Sequence, residues 1–167
     1  MQWLHYYFVT EGHLTEQGSL GRIVNLYYEN DTLNPGRVEG DKKDTDYGRG
    51  CGLAQWTDNS QSNRQTDLFN YLDKNGYAHD SFEGQAEFIL YEINNDDYYS
   101  TLRQTLTDPT RTTSEAIQSV CIWYESPGGT KDTVLKATSY RSNMNRDRGD
   151  DDLMSPKEIV SWATGNQ

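Results

Sequence analysis

Two carboxylates and a glycine-rich segment are the residues of this chain whose types and spacing suit joint chemistry. Glu29 ends an apolar helical pattern, and Asp46 follows inside Asp44-Thr45-Asp46-Tyr47-Gly48. A neutral carboxyl can give its proton to a leaving oxygen, while an ionised one supports positive charge at carbon or activates a water. Glu29 suits the first task. It lies beside Tyr27 and Tyr28 at the C-terminal end of a helix, where burial and the negative end of the helix dipole would both favour the neutral acid. Asp46 leads for the second task, with Glu39, Asp41 and Asp44 as competitors in the same stretch. Next comes Gly50-Cys51-Gly52-Leu53-Ala54-Gln55-Trp56-Thr57. Its glycines let a ligand or a second backbone come close. Gln55 offers an amide and Trp56 a flat ring, which match the polar rim and apolar face of a sugar.

The elements that must hold these residues are mostly helical. Trp3, Leu4, Tyr7 and Phe8 recur at helical spacing until Gly12. Thr15 caps a second helix, with Leu20, Ile23, Val24 and Tyr27 on one face, and Asn34-Pro35-Gly36 stops it after Glu29. From Arg37 to about Leu53 the composition turns to Gly, Asp and Lys, which predicts a small hairpin. Helical pattern resumes near Arg64 with Leu68, Tyr71 and Leu72 and ends at Asn75-Gly76. Ser81 caps the next helix, whose stripe is Phe82, Ala86, Ile89, Leu90 and Ile93. A shorter helix from about Tyr98 to Leu106 precedes Asp108-Pro109. Ser114 opens another with Ala116, Ile117, Val120 and Trp123, closing at Pro127-Gly128-Gly129, and a last one spans about Lys131 to Tyr140. Residues 1–146 therefore read as one domain. Residues 147–167 read as an acidic tail or linker, in which Ser155-Pro156-Lys157-Glu158 can start a short helix.

Bulk properties bound the function. At 167 residues the chain is long enough for one domain with a real core. Its net charge of −11 argues against a nucleic-acid groove, which needs clustered Lys and Arg. No apolar run reaches the length of a membrane span, and Met1–Phe8 lacks the basic start of a signal peptide. No His/Cys/Asp cluster stands at ligand spacing, so no metal and no cofactor are expected. Cys51 and Cys121 are too few for a disulfide scaffold and read as two buried thiols, with a single bridge as the alternative. The 12 Tyr and 4 Trp suit carbohydrate binding and equally suit packed helices.

Several blocks, in order and at matching spacing, resemble the phage tail lysozyme family, glycosidase domains of tail-tip proteins and endolysins. Gly21-Arg22-Ile23-Val24-Asn25-Leu26-Tyr27-Tyr28-Glu29 is similar to that family's helix ending in its acidic residue. Leu33-Asn34-Pro35 resembles its Leu-Asn-Pro, and Gly50–Thr57 its Gly-Tyr-Gly-Leu-x-Gln-Trp-Thr, with Cys51 in place of the tyrosine. Gln85-Ala86-Glu87-Phe88-Ile89-Leu90-Tyr91-Glu92 is similar to its downstream helix, and Tyr124-Glu125-Ser126-Pro127-Gly128 to its aromatic-Glu-x-Pro-Gly element. Thr45-Asp46-Tyr47-Gly48 also resembles the hen egg-white lysozyme strand that carries the second carboxylate.

The resemblance implies a mainly α (α+β), lysozyme-like fold: two helical lobes with a small β-hairpin at the cleft. It implies cleavage of a β-1,4 bond in peptidoglycan glycan strands, with Glu29 as acid and Asp46 as the second carboxylate. Tyr28, Tyr47, Gln55, Trp56 and Thr57 would bind the sugar. Glu125 would tie down a loop. The chain carries one more residue between acid and proline than the family usually does, so an ungapped register puts Asn30 at the acid position; Asp31 is the fallback acid. A lytic transglycosylase, working with one carboxyl, and a non-catalytic glycan-binding module are the rivals. A cysteine peptidase stands further off. The expected setting is the virion tail or the outside of the cell, at the bacterial wall. At −11 the domain would need a tether, either the phage tail or a wall-binding domain.

Overall fold

A computed structural model describes residues 1–38, 49–60, 62–125 and 156–165. Residues 39–48 of the expected 37–53 hairpin, with Glu39, Asp41, Asp44, Asp46 and Tyr47, and the expected helix at 131–140 lie outside the described residues. Among the described residues the fold is mainly α with one short antiparallel strand pair, as a lysozyme-like chain should be. Two compact units divide it: Met1–Asn25 with Ile93–Gln167, and Leu26–Glu92.

In the first unit, α1 (Gln2–Thr10) buries Leu4 and Phe8. Thr15 starts α2 (Glu16–Glu29), its hydroxyl accepting the Gly18 N–H at 2.9 Å, which satisfies one of the donors a helix start leaves open. The α2 residues Leu20, Ile23 and Val24 are buried, as the apolar periodicity requires. Close helix approach explains Gly21, since a Cβ there would lie 2.5 Å from the Ala116 Cβ of α6 (Thr113–Val120). Asn25 seals the same contact by donating to the carbonyls of Gly21 at 2.9 Å and Ile117 at 3.1 Å. Thr112, rather than Ser114, caps α6, because Glu115 reaches back to complete a capping box.

A 3₁₀ turn (Asp97–Tyr99) leads into α5 (Ser100–Thr107), which buries Leu102 and Leu106. After α6 the chain widens into a π-helical turn, Cys121–Glu125. There Glu125 accepts from the buried Arg22 guanidinium at 2.7 Å, while Arg22 also lies over the Tyr124 ring at 3.5 Å. A final helix, α7 (Pro156–Thr164), packs against α1 and buries Ile159 and Ala163. That part of the expected tail is therefore core-forming.

The second unit begins with the last turn of α2 and holds the strand pair β1 (Asp58–Asn59) and β2 (Ser62–Asn63), with Asp58 opposite Asn63. Next come α3 (Arg64–Asn75), which buries Leu68 and Leu72, and α4 (Phe82–Asn95), which buries Ala86, Phe88 and Ile89. Gly76 ends α3 in the left-handed region, its N–H bonding back to Asp73 and Leu72, as the Asn75-Gly76 pair predicts. The Ser81 hydroxyl accepts the Gly84 N–H at 3.1 Å and so helps start α4.

Candidate active site

Glu29 is the last residue of α2 and is half-buried, as is Tyr28 before it. The helix stops because Asn30 turns its side chain back on the chain that follows. Its amide nitrogen donates to the carbonyls of Asn34 at 2.7 Å and Gly52 at 3.2 Å, and its oxygen accepts from the Thr32 hydroxyl at 2.9 Å and the Asn34 N–H at 3.2 Å. All four hydrogen-bonding positions of that amide are used, and Asn30 is fully buried. It is a structural post, and has nothing left to offer a sugar. Asp31 is exposed and paired with Arg37 at 2.6 Å. Of the three neighbours, Glu29 is the half-buried one.

The Gly50–Thr57 segment is a tight hairpin. Cys51 and Trp56 exchange backbone hydrogen bonds of 3.0 and 2.9 Å, and Val38 pairs with Cys51 on the other side. Gly52 takes φ +70°, which strains any L-residue, and a Cβ there would meet the Gln85 Oε1 at 2.6 Å and push that side chain aside. Gln55 also sits in the left-handed region, at φ +50°, and its Nε2 donates to the Gly52 carbonyl at 2.8 Å. That bond helps hold a conformation L-residues normally avoid. Gln55 and Thr57 are half-buried.

Trp56 departs from expectation. Its ring is 1% exposed and meets Phe88 edge-to-face at 5.7 Å. The indole N–H donates to Glu92 at 2.9 Å, and Arg64 donates to the same carboxylate at 2.8 and 3.1 Å. An aromatic ring committed to the interior by packing and by a charge-assisted bond offers no face to a sugar. Trp56 is here a pillar of the hairpin and not part of its surface.

Asp58 follows the hairpin and is buried, yet its carboxyl is held below the ordinary carboxylate range. Burial opposes the charge, but the Thr66 hydroxyl at 2.6 Å and the N–H groups of Thr66 at 3.1 Å and Gln65 at 2.9 Å outweigh it. These are donors of the first turn of α3, so Asp58 caps that helix from outside and its lone pairs are engaged. Cys51 and Cys121 are buried free thiols. Burial first, then the Asp58 charge, push the Cys51 thiol up to about 11 against the pull of Gln65. A thiol so far from ionising is a poor nucleophile.

His5 bridges the Ser19 hydroxyl at 2.9 Å and Glu16 at 2.7 Å and joins α1 to α2, but Ser19 is fully buried, so its hydroxyl is closed to substrate. Among the described residues no group of three His, Cys, Asp or Glu side chains could hold a metal ion, and no helix is long and apolar enough to cross a membrane.

Sequence reasoning overlooked the roles of Asn30, Asp58, Gln85 and Glu92. A signal existed for the last two. They lie seven residues apart on α4, two helical turns, on the side that carries the buried Ile89. Polar residues on a buried stripe need partners, and these find theirs in the hairpin.

A mainly helical fold with a half-buried acid at a helix end and a glycine hairpin tied to the residue after it defines a lysozyme-like protein. The chain belongs to the phage tail lysozyme family, whose model matches residues 2–147. It is 31% identical over 118 residues to Morphogenesis protein 1 of Bacillus phage B103, a match covering 68% of this chain and 30% of that protein. The chain thus spans less than a third of the relative's length.

Proposed function

We propose that this chain hydrolyses a β-1,4 bond of peptidoglycan glycan strands, with Glu29 as general acid. Glu29 gives its proton to the glycosidic oxygen as the C1–O bond breaks, and Asp46 supports the positive charge on the sugar or takes a proton from the attacking water. Water adds at C1, leaving a new reducing end. One observation carries the assignment: the helix ends on a half-buried Glu29, and the next side chain, Asn30, bonds directly to Gly52 of the hairpin at 3.2 Å. Gln55, Thr57 and Tyr28 are half-buried in the same unit and supply sugar contacts, with Tyr47 as a further one suggested by the family pattern. Family membership supports the substrate class. In the whole phage protein a tail or a wall-binding domain would hold the unit at the wall.

The test is mass spectrometry of soluble products from purified peptidoglycan, with the wild-type chain and with Glu29→Gln. New reducing ends from the wild type and none from the near-isosteric variant are expected; which sugar carries them separates muramidase from glucosaminidase. Anhydro ends in their place would make the chain a lytic transglycosylase. Full turnover by Glu29→Gln would move the acid elsewhere.

A further inference from the structure

Two buried amides connect the chain after Glu29 to the glycine hairpin. Gln85, 1% exposed, accepts the Leu53 N–H at 2.9 Å and donates to the carbonyls of Pro35 at 2.9 Å and His79 at 2.7 Å. Asn30 approaches the same turn through the Gly52 carbonyl and the same loop through both backbone groups of Asn34. Each amide therefore grips two segments, Asn34-Pro35 and Gly52-Leu53, and Gln85 adds the His79 turn before α4. An amide is required because each site presents both carbonyls and an N–H or hydroxyl; a carboxylate would set its oxygens against carbonyl oxygens. Both N–H donors of each amide are taken by backbone carbonyls.

We propose that Asn30 and Gln85 are positioning residues, which set the register between Glu29 and the Gly50–Thr57 hairpin and so align a bound glycan with the acid. The idea rests on the glycosidase reading above. A catalytic group misplaced by about 1 Å loses on the order of a hundredfold in rate, and these two side chains join the end of the acid's helix to the turn beside the proposed sugar contacts. The role is distinct from general stabilisation, because the apolar interior of the unit is built by other residues, Leu68, Leu72 and Ile89 among them.

The experiment uses the full 167-residue chain with Asn30→Asp and Gln85→Glu, near-isosteric changes that remove N–H donors. Ile89→Val, which removes one methylene from the same unit, is the stability control. Turnover on glycan strands freed of stem peptides is measured at a temperature where circular dichroism shows every variant folded. The positioning role predicts a fall in kcat of roughly 10- to 100-fold with KM within about threefold for both amide variants, and kcat within about twofold for Ile89→Val. Amide variants that keep wild-type kcat, or lose no more than the control, overturn it.

Amide hydrogen exchange provides a readout independent of turnover. The Leu53 N–H is expected to exchange at least tenfold faster in Gln85→Met, which removes its acceptor, and unchanged exchange overturns the role of Gln85. A wild-type chain that releases no sugar, together with faster Leu53 exchange in the variant, would sink the glycosidase reading and leave the register-setting contact standing.

Discussion

Replacing Trp56 by Phe separates a buried pillar from an exposed sugar platform. The ring is 1% exposed, so the change removes atoms from the interior and deletes the 2.9 Å bond from the indole N–H to Glu92. A hydrogen bond to a charged group contributes about 1.5–3 kcal/mol. The smaller ring adds a packing loss, but Glu92 keeps both Arg64 contacts, so its carboxylate is not orphaned and the penalty is contained. Together these put the loss at about 2–4 kcal/mol. For a chain of this size each kcal/mol moves the midpoint by roughly 2–4 °C, so Tm should fall by about 4–16 °C. Thermal unfolding followed by circular dichroism reads the stability, and calorimetric titration with glycan strands well below Tm reads binding. Affinity is expected to stay within about threefold of wild type, a change of under 1 kcal/mol. A Tm within a degree of wild type combined with a tenfold loss of affinity would refute the argument. It would show that the indole face meets the sugar.

Asp58→Asn should alter acid stability. The folded-state carboxyl is held below its ordinary value, so the stability it contributes is present above the unfolded value of about 3.9 and is lost as pH falls through the folded one. The variant should be less stable near neutrality and show a flatter acid limb in urea midpoints measured from pH 7 downward; parallel curves would remove Asp58 as the helix cap. Gln55→Gly relieves the left-handed backbone at φ +50° but deletes the amide, so Tm should move by only a few degrees while glycan affinity drops about tenfold. Unchanged affinity would mean that Gln55 serves the turn alone. With a net charge of −11, clearing of intact walls by the isolated chain should be slow at low salt and rise as salt shortens the screening length to roughly 8 Å. Equal initial rates across ionic strength, on walls with and without teichoic acids, would remove the case for a tether.

Helix starts and stops were legible from the chain because they depend on neighbours within a turn. Thr15 meets the Gly18 N–H, Ser81 meets the Gly84 N–H, and Gly76 takes the conformation other residues avoid. Apolar periodicity marked the buried faces of α2 to α4 for the same local reason. The end of α2 at Glu29 was legible too, as a helical pattern that runs out ahead of Asn34-Pro35-Gly36.

What an isolated residue does when partners arrive from distant positions was decided only by tertiary structure. Asn30 read as the residue at the acid position in an ungapped register, and folding makes it a post because Gly52 comes to lie 3.2 Å away. Trp56 read as a platform for a sugar; a carboxylate 36 residues later draws its N–H inward and Phe88 covers its ring. Side-chain chemistry lists what each group is able to bind. Burial and long-range approach select which of those bonds forms, because an unpaired polar group in the interior costs more than the pairing of an exposed one yields.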